Sequence, residues 1–261
     1  MSPGRLILVA ATVAAPLLAG ALGSTAGPAR WLALGVPVGY LAVLVVGAMV
    51  PQLAMFAPVL WRGSSSRAEV ALTFDDGPDP ISTRKILATL ARFEARATFF
   101  VLGAKARLAP DVLAEIAAAG HDIGIHGDTH DRFLSIRHPN DIAVSLEAAR
   151  TTVESATGNR PRYFRPPIGH VSPRTAVAAK RLGLALVCWS VRSHDGLATT
   201  TVDQATLRVL AGLRPGAIVL LHDAPEHGNR EPVAVAALPG ILEEIARRGL
   251  RCVPVSHFVD G

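Results

Sequence analysis

The chain has 261 residues, of which half are apolar and 18% are charged, and its net charge at pH 7 is +5. Its mean hydropathy of +0.35 is high for a water-soluble enzyme, so we expect the apolar surplus to be concentrated in one segment. The apolar content excludes a disordered chain, and the scatter of the basic residues excludes the basic stripe of a nucleic-acid groove.

The first 60 residues form an apolar leader. They contain no acidic residue and only two basic ones, Arg5 and Arg30. One apolar run covers residues 6–22 and a second covers residues 31–60. Buried helix pairs of soluble proteins usually carry a polar face, and this leader offers none, so we expect a membrane-associated protein.

The two runs differ in how well they suit a bilayer, which a helix crosses with about 20 apolar residues. The second run is long enough between residues 31 and 50, with Trp31 where an interfacial aromatic residue belongs. The first run is shorter, follows Arg5 and ends in small residues, so it fits a transmembrane segment or a signal peptide. We predict that residues 1–60 form one or two transmembrane segments, or a signal peptide plus an anchor, and that residues 61–67 form a linker.

Beyond the leader, short β-rich runs alternate with helical runs. The pattern predicts strands at residues 70–74, 97–102, 121–125, 162–164, 184–189, 217–221 and 250–255, and helices at residues 82–92, 111–119, 140–157, 175–182, 202–210 and 233–248. This alternation predicts an α/β fold with a mainly parallel sheet or barrel over residues 68–261. In such folds the site lies at the C-terminal ends of the strands. Cys188 and Cys252 lie in apolar stretches and are interpreted as buried thiols.

Two adjacent carboxylates, Asp75 and Asp76, end the first strand of this domain. Adjacent carboxylates repel each other, and the cost is relieved by a cation or a proton. A turn capped by these side chains explains the motif equally well when it is taken alone.

Two histidines, His126 and His130, follow the third predicted strand at a spacing of four residues. On a helical turn this spacing places both imidazoles on one face, which suits two ligands of one metal ion. The spacing alone is a weak signal. With a carboxylate from the first strand it makes a two-histidine, one-carboxylate set that leaves coordination positions open for water and substrate.

Three later loops carry reactive groups at strand ends. In residues 164–169, two prolines fix the backbone and can present Arg165 and the N–H of Ile168 at constant positions. The next strand leads to Asp195, and the one after it ends in His222. A histidine directly after an apolar strand suits proton transfer, although a histidine there is more often a capping or core residue.

Taken in chain order, the motifs TFDDGP, HxxxH and RPPxG, the later Asp195 and LLHD resemble those of the NodB-homology polysaccharide deacetylases, or carbohydrate esterase family 4. The resemblance covers about residues 68–255. It implies a distorted, incomplete (β/α) barrel that catalyses metal-dependent hydrolysis of an N-acetyl or similar acyl group on an amino sugar.

The resemblance also implies roles for individual residues at the centre of the site. Asp75 would be the general base, and His222 would be the general acid that protonates the leaving amine. Asp76, His126 and His130 would hold one divalent metal ion, expected to be Zn²⁺, with Co²⁺ or Mn²⁺ as alternatives.

Four further residues match positions around that centre. Arg165 would orient the base, and Asp195 would tune the groups near the acid. Leu220 would line the acetyl pocket, and the N–H of Ile168 would help to hold the oxyanion, a contribution of about 3–4 kcal/mol for a good donor.

The sequence departs from the family pattern at three positions. Gly127 replaces the usual Ser or Thr after the first metal histidine, Ile168 replaces a common aromatic residue, and Gly196 replaces the Trp expected after the late Asp. Because sugars stack on aromatic walls, these departures count against a long, flat glycan and leave a smaller or lipid-linked glycan open.

Three hypotheses for function follow. The first is a metal-dependent deacetylase of an N-acetylated cell-wall or surface glycan. The second is a deformylase or deacetylase of a lipid-linked amino sugar, and the third is a catalytically silent, membrane-tethered glycan-binding protein. The predicted partners are the glycan or lipid-linked sugar and the membrane, without nucleic acid, and the oligomeric state is open.

Two arguments about membrane topology oppose each other. If both runs span, the N-terminus and the domain share a side, and Arg5, Arg62 and Arg67 against Arg30 favour the cytoplasm by the positive-inside rule. The glycan substrates implied by the resemblance lie mostly outside the cell. We give the substrate argument more weight and predict a cell-membrane protein with an extracytoplasmic domain.

Overall fold

A computed structural model describes residues 1–24, 29–225 and 230–259. Its helices are α1 Pro3–Gly23, α2 Ala29–Met49, α3 Ser82–Arg92, α4 Gly103–Leu108, α5 Pro110–Ala118, α6 Pro139–Thr157, α7 Pro173–Arg181, α8 Val202–Gly212 and α9 Val233–Arg247. Its strands are β1 Val59–Leu60, β2 Glu69–Asp75, β3 Ala97–Val101, β4 Asp122–Ile125, β5 Tyr163–Phe164, β6 Ala185–Val187, β7 Val191–Arg192, β8 Ile218–His222 and β9 Arg251–Cys252.

The strands form one sheet whose ladders are all parallel. Its order is β1-β6-β5-β4-β3-β2-β8-β7, and β9 pairs with β2 at the start of that strand. All seven residues of β2 are buried, as expected for a strand covered on both faces. The predicted α/β fold with parallel strands is confirmed.

The register of the central strands decides which residues meet at the site. Asp75, the last residue of β2, lies opposite His222 on β8 and Phe100 on β3. All C-terminal strand ends point to the same edge, so the predicted site residues converge there.

The apolar core lies on both faces of the sheet. The larger cluster joins the sheet to the surrounding helices, with Phe74 and Phe99 stacked at a ring-centroid distance of 5.1 Å. A smaller cluster around Phe100, Tyr163 and Val187 fills the inside of the curved sheet. Cys188 and Cys252 are buried free thiols, as predicted, and burial raises the pKa of each thiol to about 12.

The structure contains short elements that the sequence pattern does not predict. They are α4, β7 and β1. β1 pairs with β6, and the N–H of Gly63 donates to the carbonyl of Gly216 at 2.8 Å, so the sheet takes in residues that the pattern assigns to the leader and the linker. A two-residue strand spans no full period of side-chain alternation and therefore gives no signal in the sequence.

The leader folds as a helical hairpin. α1 and α2 are antiparallel neighbours joined by a hydrogen bond between the hydroxyls of Thr12 and Tyr40, at 3.0 Å. Residues 3–23 and 31–49 are long and apolar enough to cross a membrane, and a helix near the N-terminus also fits a signal sequence.

Candidate active site

A cleft opens at the C-terminal edge of the sheet. It is lined by residues at or after the ends of six strands: Asp75, Asp76, His126, His130, Arg132, Ile168, Trp189, Arg192, His194, Gly196, Leu197, Leu220 and His222. Seven of the nine predicted site residues line this cleft, and the other two, Arg165 and Asp195, bond directly to residues that line it.

The paired carboxylates are buried at the end of β2. Asp75 and Asp76 are each 3% exposed. Asp76 adopts φ +74°, a left-handed conformation that costs free energy for a residue with a side chain and that is concentrated at functional sites. Gly77 follows against Asp223, whose carboxylate would clash with any Cβ at this position. Close packing of Gly77 on Asp223 therefore fixes this turn.

Asp76, His126 and His130 bring one ligand atom each to a common point. The three atoms lie within 4.8 Å of one another, and Oδ1 of Asp76 is 3.6 Å from Nε2 of His126 and 3.7 Å from Nε2 of His130. Oδ1 of Asp76 is buried without a hydrogen-bond partner among the described residues. Because a buried carboxylate oxygen is costly without a partner, this donor set fits a divalent cation.

The hydrogen bonding and burial of His126 favour its neutral form. Its Nδ1–H donates to the carbonyl of Arg165 at 2.8 Å, which leaves the lone pair of Nε2 directed at the ligand cluster. Burial lowers the pKa of His126, and the nearby carboxylates oppose this only in part. A neutral imidazole is the form that binds a metal ion.

The two histidines do not share a helical turn, so that expectation is wrong. His126 directly follows β4, and the chain reverses through Gly127 at φ +110° before it reaches His130. The carbonyls of Gly127 and Asp128 accept the N–H groups of Gly103 and Ala104 at 3.0 and 2.8 Å. These two N–H groups lie at the start of α4, where the helix itself supplies no acceptor. The loop carbonyls accept their hydrogen bonds, and the same bonds hold the loop in place.

Arg165 is fully buried beneath the base. Its Nη1 donates to Oδ1 of Asp75 at 2.6 Å and to the hydroxyl of Thr73 at 2.8 Å. Its Nη2 donates to the carbonyl of Cys188 at 3.1 Å, and its guanidinium lies 4.1 Å from the ring centroid of Phe100. The guanidinium is therefore the ion-pair partner of Asp75, and its several bonds fix its own orientation and that of the carboxylate.

His222 and Asp195 form a second charged pair on the other side of the cleft. Nδ1 of His222 lies 2.9 Å from Oδ1 of Asp195, whose Oδ2 accepts the backbone N–H of His222 at 2.8 Å. Burial acts to lower the pKa of His222, but the Asp195 carboxylate, with smaller contributions from Asp76 and Asp75, raises it to about 9. Burial acts against ionisation of Asp195, yet the charge and hydrogen bonds of His222 leave its pKa below the usual value. The imidazole is thus held protonated.

Ile168 and Leu220 both lie in the cleft wall, as expected for pocket residues. Ile168 adopts φ +53°, which is rare for a β-branched residue, and is 36% exposed. Gly169 packs so closely on the indole of Trp189 that a Cβ there would lie 2.4 Å from Cη2. The rigid loop and the indole therefore form one wall.

Three further residues complete the site and were not predicted from the sequence. Ser193 donates its hydroxyl to Asp195 at 2.5 Å, and Thr73 shares Nη1 of Arg165 with the base. Trp189 supplies an aromatic wall at a position other than those where the family pattern places one. Thr73 lies two residues before Asp75 on β2, and Ser193 lies two residues before Asp195, so a spacing of two from a motif residue is the signal that could have found these two.

Comparison with known proteins agrees with this geometry. The family model described as polysaccharide deacetylase matches residues 62–187. A peptidoglycan-N-acetylglucosamine deacetylase of Bacillus cereus is 33% identical over 205 residues, covering 77% of this chain and 92% of that protein. A chitooligosaccharide deacetylase of Bradyrhizobium is 34% identical over 203 residues, covering 74% of this chain and 92% of that protein.

The similarity extends to three dimensions. The crystal structure of the Bc1960 peptidoglycan N-acetylglucosamine deacetylase matches with a TM-score of 0.72 and 32% identity, covering 77% of this chain and 92% of that chain. The expected incomplete (β/α) barrel is thereby confirmed. The chain belongs to the polysaccharide deacetylases of the NodB-homology group, carbohydrate esterase family 4.

Proposed function

We propose that this chain is a metal-dependent hydrolase that removes N-acetyl groups from amino-sugar residues of a cell-wall or surface glycan. One observation carries the proposal. Asp75 and His222 are register partners on adjacent strands, and the cluster of Asp76, His126 and His130 lies beside them in the same cleft. A base and an acid flanking a candidate metal centre are the parts that amide hydrolysis requires.

Each group of site residues has its own role in the proposed amide hydrolysis. Asp75, oriented by its hydrogen bond from Arg165, accepts a proton from the attacking water. His222 gives a proton to the leaving nitrogen, because an amine anion is too basic to leave, and Asp195 stabilises its charged form. Asp76, His126 and His130 hold the cation, which when bound supplies Lewis-acid polarisation of the acyl carbonyl.

The proposal is tested with the purified full-length chain in detergent. With Zn²⁺ restored, we expect acetate release from N-acetylglucosamine oligomers or from peptidoglycan, and loss of release after chelation. If the zinc-loaded chain releases acetate from none of these glycans, the proposed substrate is wrong. If it also releases neither acetate nor formate from lipid-linked amino sugars, the silent-protein hypothesis replaces it.

A lipid-linked amino sugar is the second candidate substrate. Ile168 and Leu197, which is 54% exposed, place apolar side chains at the cleft, and Gly196 contributes no aromatic side chain to it. An apolar rim suits a substrate that carries a lipid better than a long, flat glycan. Release from lipid-linked sugars exceeding release from polymers would favour this candidate.

The metal ligands lead to the first expected result. Replacing His130 by Ala removes one of three donors, so we expect stoichiometric zinc binding by the purified protein to be abolished. His257→Ala, a change at an exposed histidine far along the chain, serves as the control and should retain zinc. Full zinc occupancy in His130→Ala would contradict the proposed ligand set.

The charge pair at the acid predicts a shift in pH dependence. The acid must be protonated to work, so activity falls as the pH rises through the pKa of His222, which Asp195 raises. Asp195→Asn removes that charge and lowers the pKa of His222. We therefore expect the alkaline limb of the kcat/KM profile to move to lower pH. An unmoved limb would show that another group sets it.

We also propose that α1 and α2 anchor the protein in the cell membrane with an extracytoplasmic domain. In a hairpin that spans twice, the N-terminus and the domain lie on one side of the bilayer. Because the domain is proposed to lie outside the cytoplasm, an alkaline phosphatase fused after Gly261 should be active. An inactive phosphatase together with an active cytoplasmic reporter at the same site would reverse this orientation and favour the lipid-linked substrate.

A further inference from the structure

The end of the apolar hairpin contacts the two loops that form one wall of the cleft. The N–H of Val171, two residues after Gly169, donates to the carbonyl of Ala48 near the end of α2, at 3.0 Å. The side-chain amide of Gln52, three residues after α2, donates to the carbonyl of Trp189 at 3.1 Å. The leader therefore bonds to Trp189 itself and to Val171, two residues from the glycine that Trp189 contacts.

The seat of the hairpin, on the turn that follows α2, is tight. Gly4 packs against the backbone of Leu53 so closely that a Cβ would lie 2.4 Å from its carbonyl oxygen. The hydroxyl of Ser2 donates to the carbonyl of Ala54 at 2.8 Å, and the buried Met55 packs on Gly47. The residues at this end of the hairpin are therefore closely packed.

The rest of the hairpin has no such fit. A Cβ added at Gly20 of α1, or at Gly35 or Gly39 of α2, would meet no atom within 4 Å among the described residues. The hydrogen bonds of the hairpin to Val171 and Trp189 come from the end of α2 and from the turn that follows it. These are the segments that an anchoring function alone would leave unconstrained.

The segment that Gln52 holds also carries the base-orienting arginine. Nη2 of Arg165 donates to the carbonyl of Cys188, and Nε donates to the carbonyl of Val187 at 3.4 Å. Three successive carbonyls, of Val187, Cys188 and Trp189, are therefore bound by Arg165 from inside the sheet and by Gln52 from the hairpin. A shift of this segment would move both the indole wall and the support of Asp75.

We propose that the hairpin is a positioning element of the active site in addition to an anchor, and that Gln52 is its positioning residue. With the hairpin seated, Gln52 and Ala48 fix the wall made by Trp189 and the loop that ends in Gly169. The inference goes beyond the proposed deacetylase function and depends on it only for a kinetic readout.

The test uses the full-length chain in detergent, labelled with 5-fluorotryptophan. The chain has three tryptophans, and Trp189→Phe assigns the fluorine resonance of the wall. Gln52→Met keeps the side-chain length and removes the donor, whereas Gln52→Lys restores a donor. We expect Gln52→Met to shift the Trp189 resonance and to raise KM for N-acetylglucosamine oligomers about five-fold with kcat within two-fold, and Gln52→Lys to reverse both effects.

A second pair of variants tests the seat itself. Gly4→Leu should unseat the hairpin and reproduce both effects, whereas Gly20→Leu, the same change in the same helix, should leave both unchanged. The proposal is overturned if the Trp189 resonance stays in place in both Gln52→Met and Gly4→Leu, or if Gly20→Leu shifts it equally. A parent chain without deacetylase activity would refute the proposed function, and the fluorine spectra would still decide the positioning role.

Discussion

Replacing Asp75 by Asn is expected to lower turnover at least about 100-fold while zinc remains bound. The amide keeps the shape of the carboxylate but cannot accept a proton from water at neutral pH, so the base is lost. Asp76, His126 and His130 are unchanged, so the metal centre should keep its donors. The measurement is kcat on a glycan that the parent chain deacetylates, with the zinc content of the same sample.

The change also tests the role of Arg165. This guanidinium is fully buried and loses the one carboxylate partner that it has among the described residues when Asp75 becomes neutral, so Asp75→Asn should also lower the melting temperature. Asp79→Asn is the matched control, because Asp79 lies in the same turn and its Oδ1 only accepts bonds from Ile81 and Ser82, which Asn can also accept. Turnover of Asp75→Asn close to that of the parent would exclude this residue as the base.

Much of the fold follows from the sequence because long buried elements carry strong periodic signals. The predicted helix at residues 82–92 has the bounds of α3, and the long α6 differs by one residue at its start. The apolar run of β2 is continuous because both of its faces are covered. For such elements, local pattern and tertiary environment favour the same structure.

The elements that were missed are short and depend on distant partners. α4 has six residues and begins at Gly103, where a Cβ would clash with Asp128 and Ala149. Its first N–H groups bind the loop that carries His130, so neither the helix nor the shape of that loop is encoded locally. This explains why the spacing of the histidines predicted two side chains that do converge with Asp76, although the expected helical turn between them was wrong.

The residues of the site also divide into those that the sequence predicts and those that it does not. Asp75 and His222 end neighbouring strands and Arg165 directly follows β5, so family motifs were enough to place the three residues together. The seat of the hairpin was not predictable, because it is a contact between backbone groups, as between Ala48 and Val171, and leaves no pattern in side chains. A close-packed glycine such as Gly4 is indistinguishable in the sequence from the unconstrained Gly20.

Replacing His222 should separate its role as acid from its role in folding. In His222→Ala the proton donor is lost, so we expect turnover to fall at least about 100-fold with zinc retained. The buried Asp195 also loses the imidazole, although it keeps the hydroxyl of Ser193 and the backbone N–H of residue 222. The loss of one charge-assisted bond predicts a decrease of about 1–3 kcal/mol in the free energy of unfolding.

A second substitution isolates the chemistry. His222→Gln keeps an N–H donor for Asp195 but no group that ionises near neutral pH, so it should recover stability without recovering turnover. His170→Ala, at a histidine beside the RPPIG motif, is the control and should keep both. Added imidazole should partly restore His222→Ala, because the cavity left by the side chain opens to the cleft, and should leave Asp75→Asn inactive. Parent-like turnover in His222→Gln would show that the leaving amine takes its proton from elsewhere, and Asp195 would then be a purely structural partner of β8.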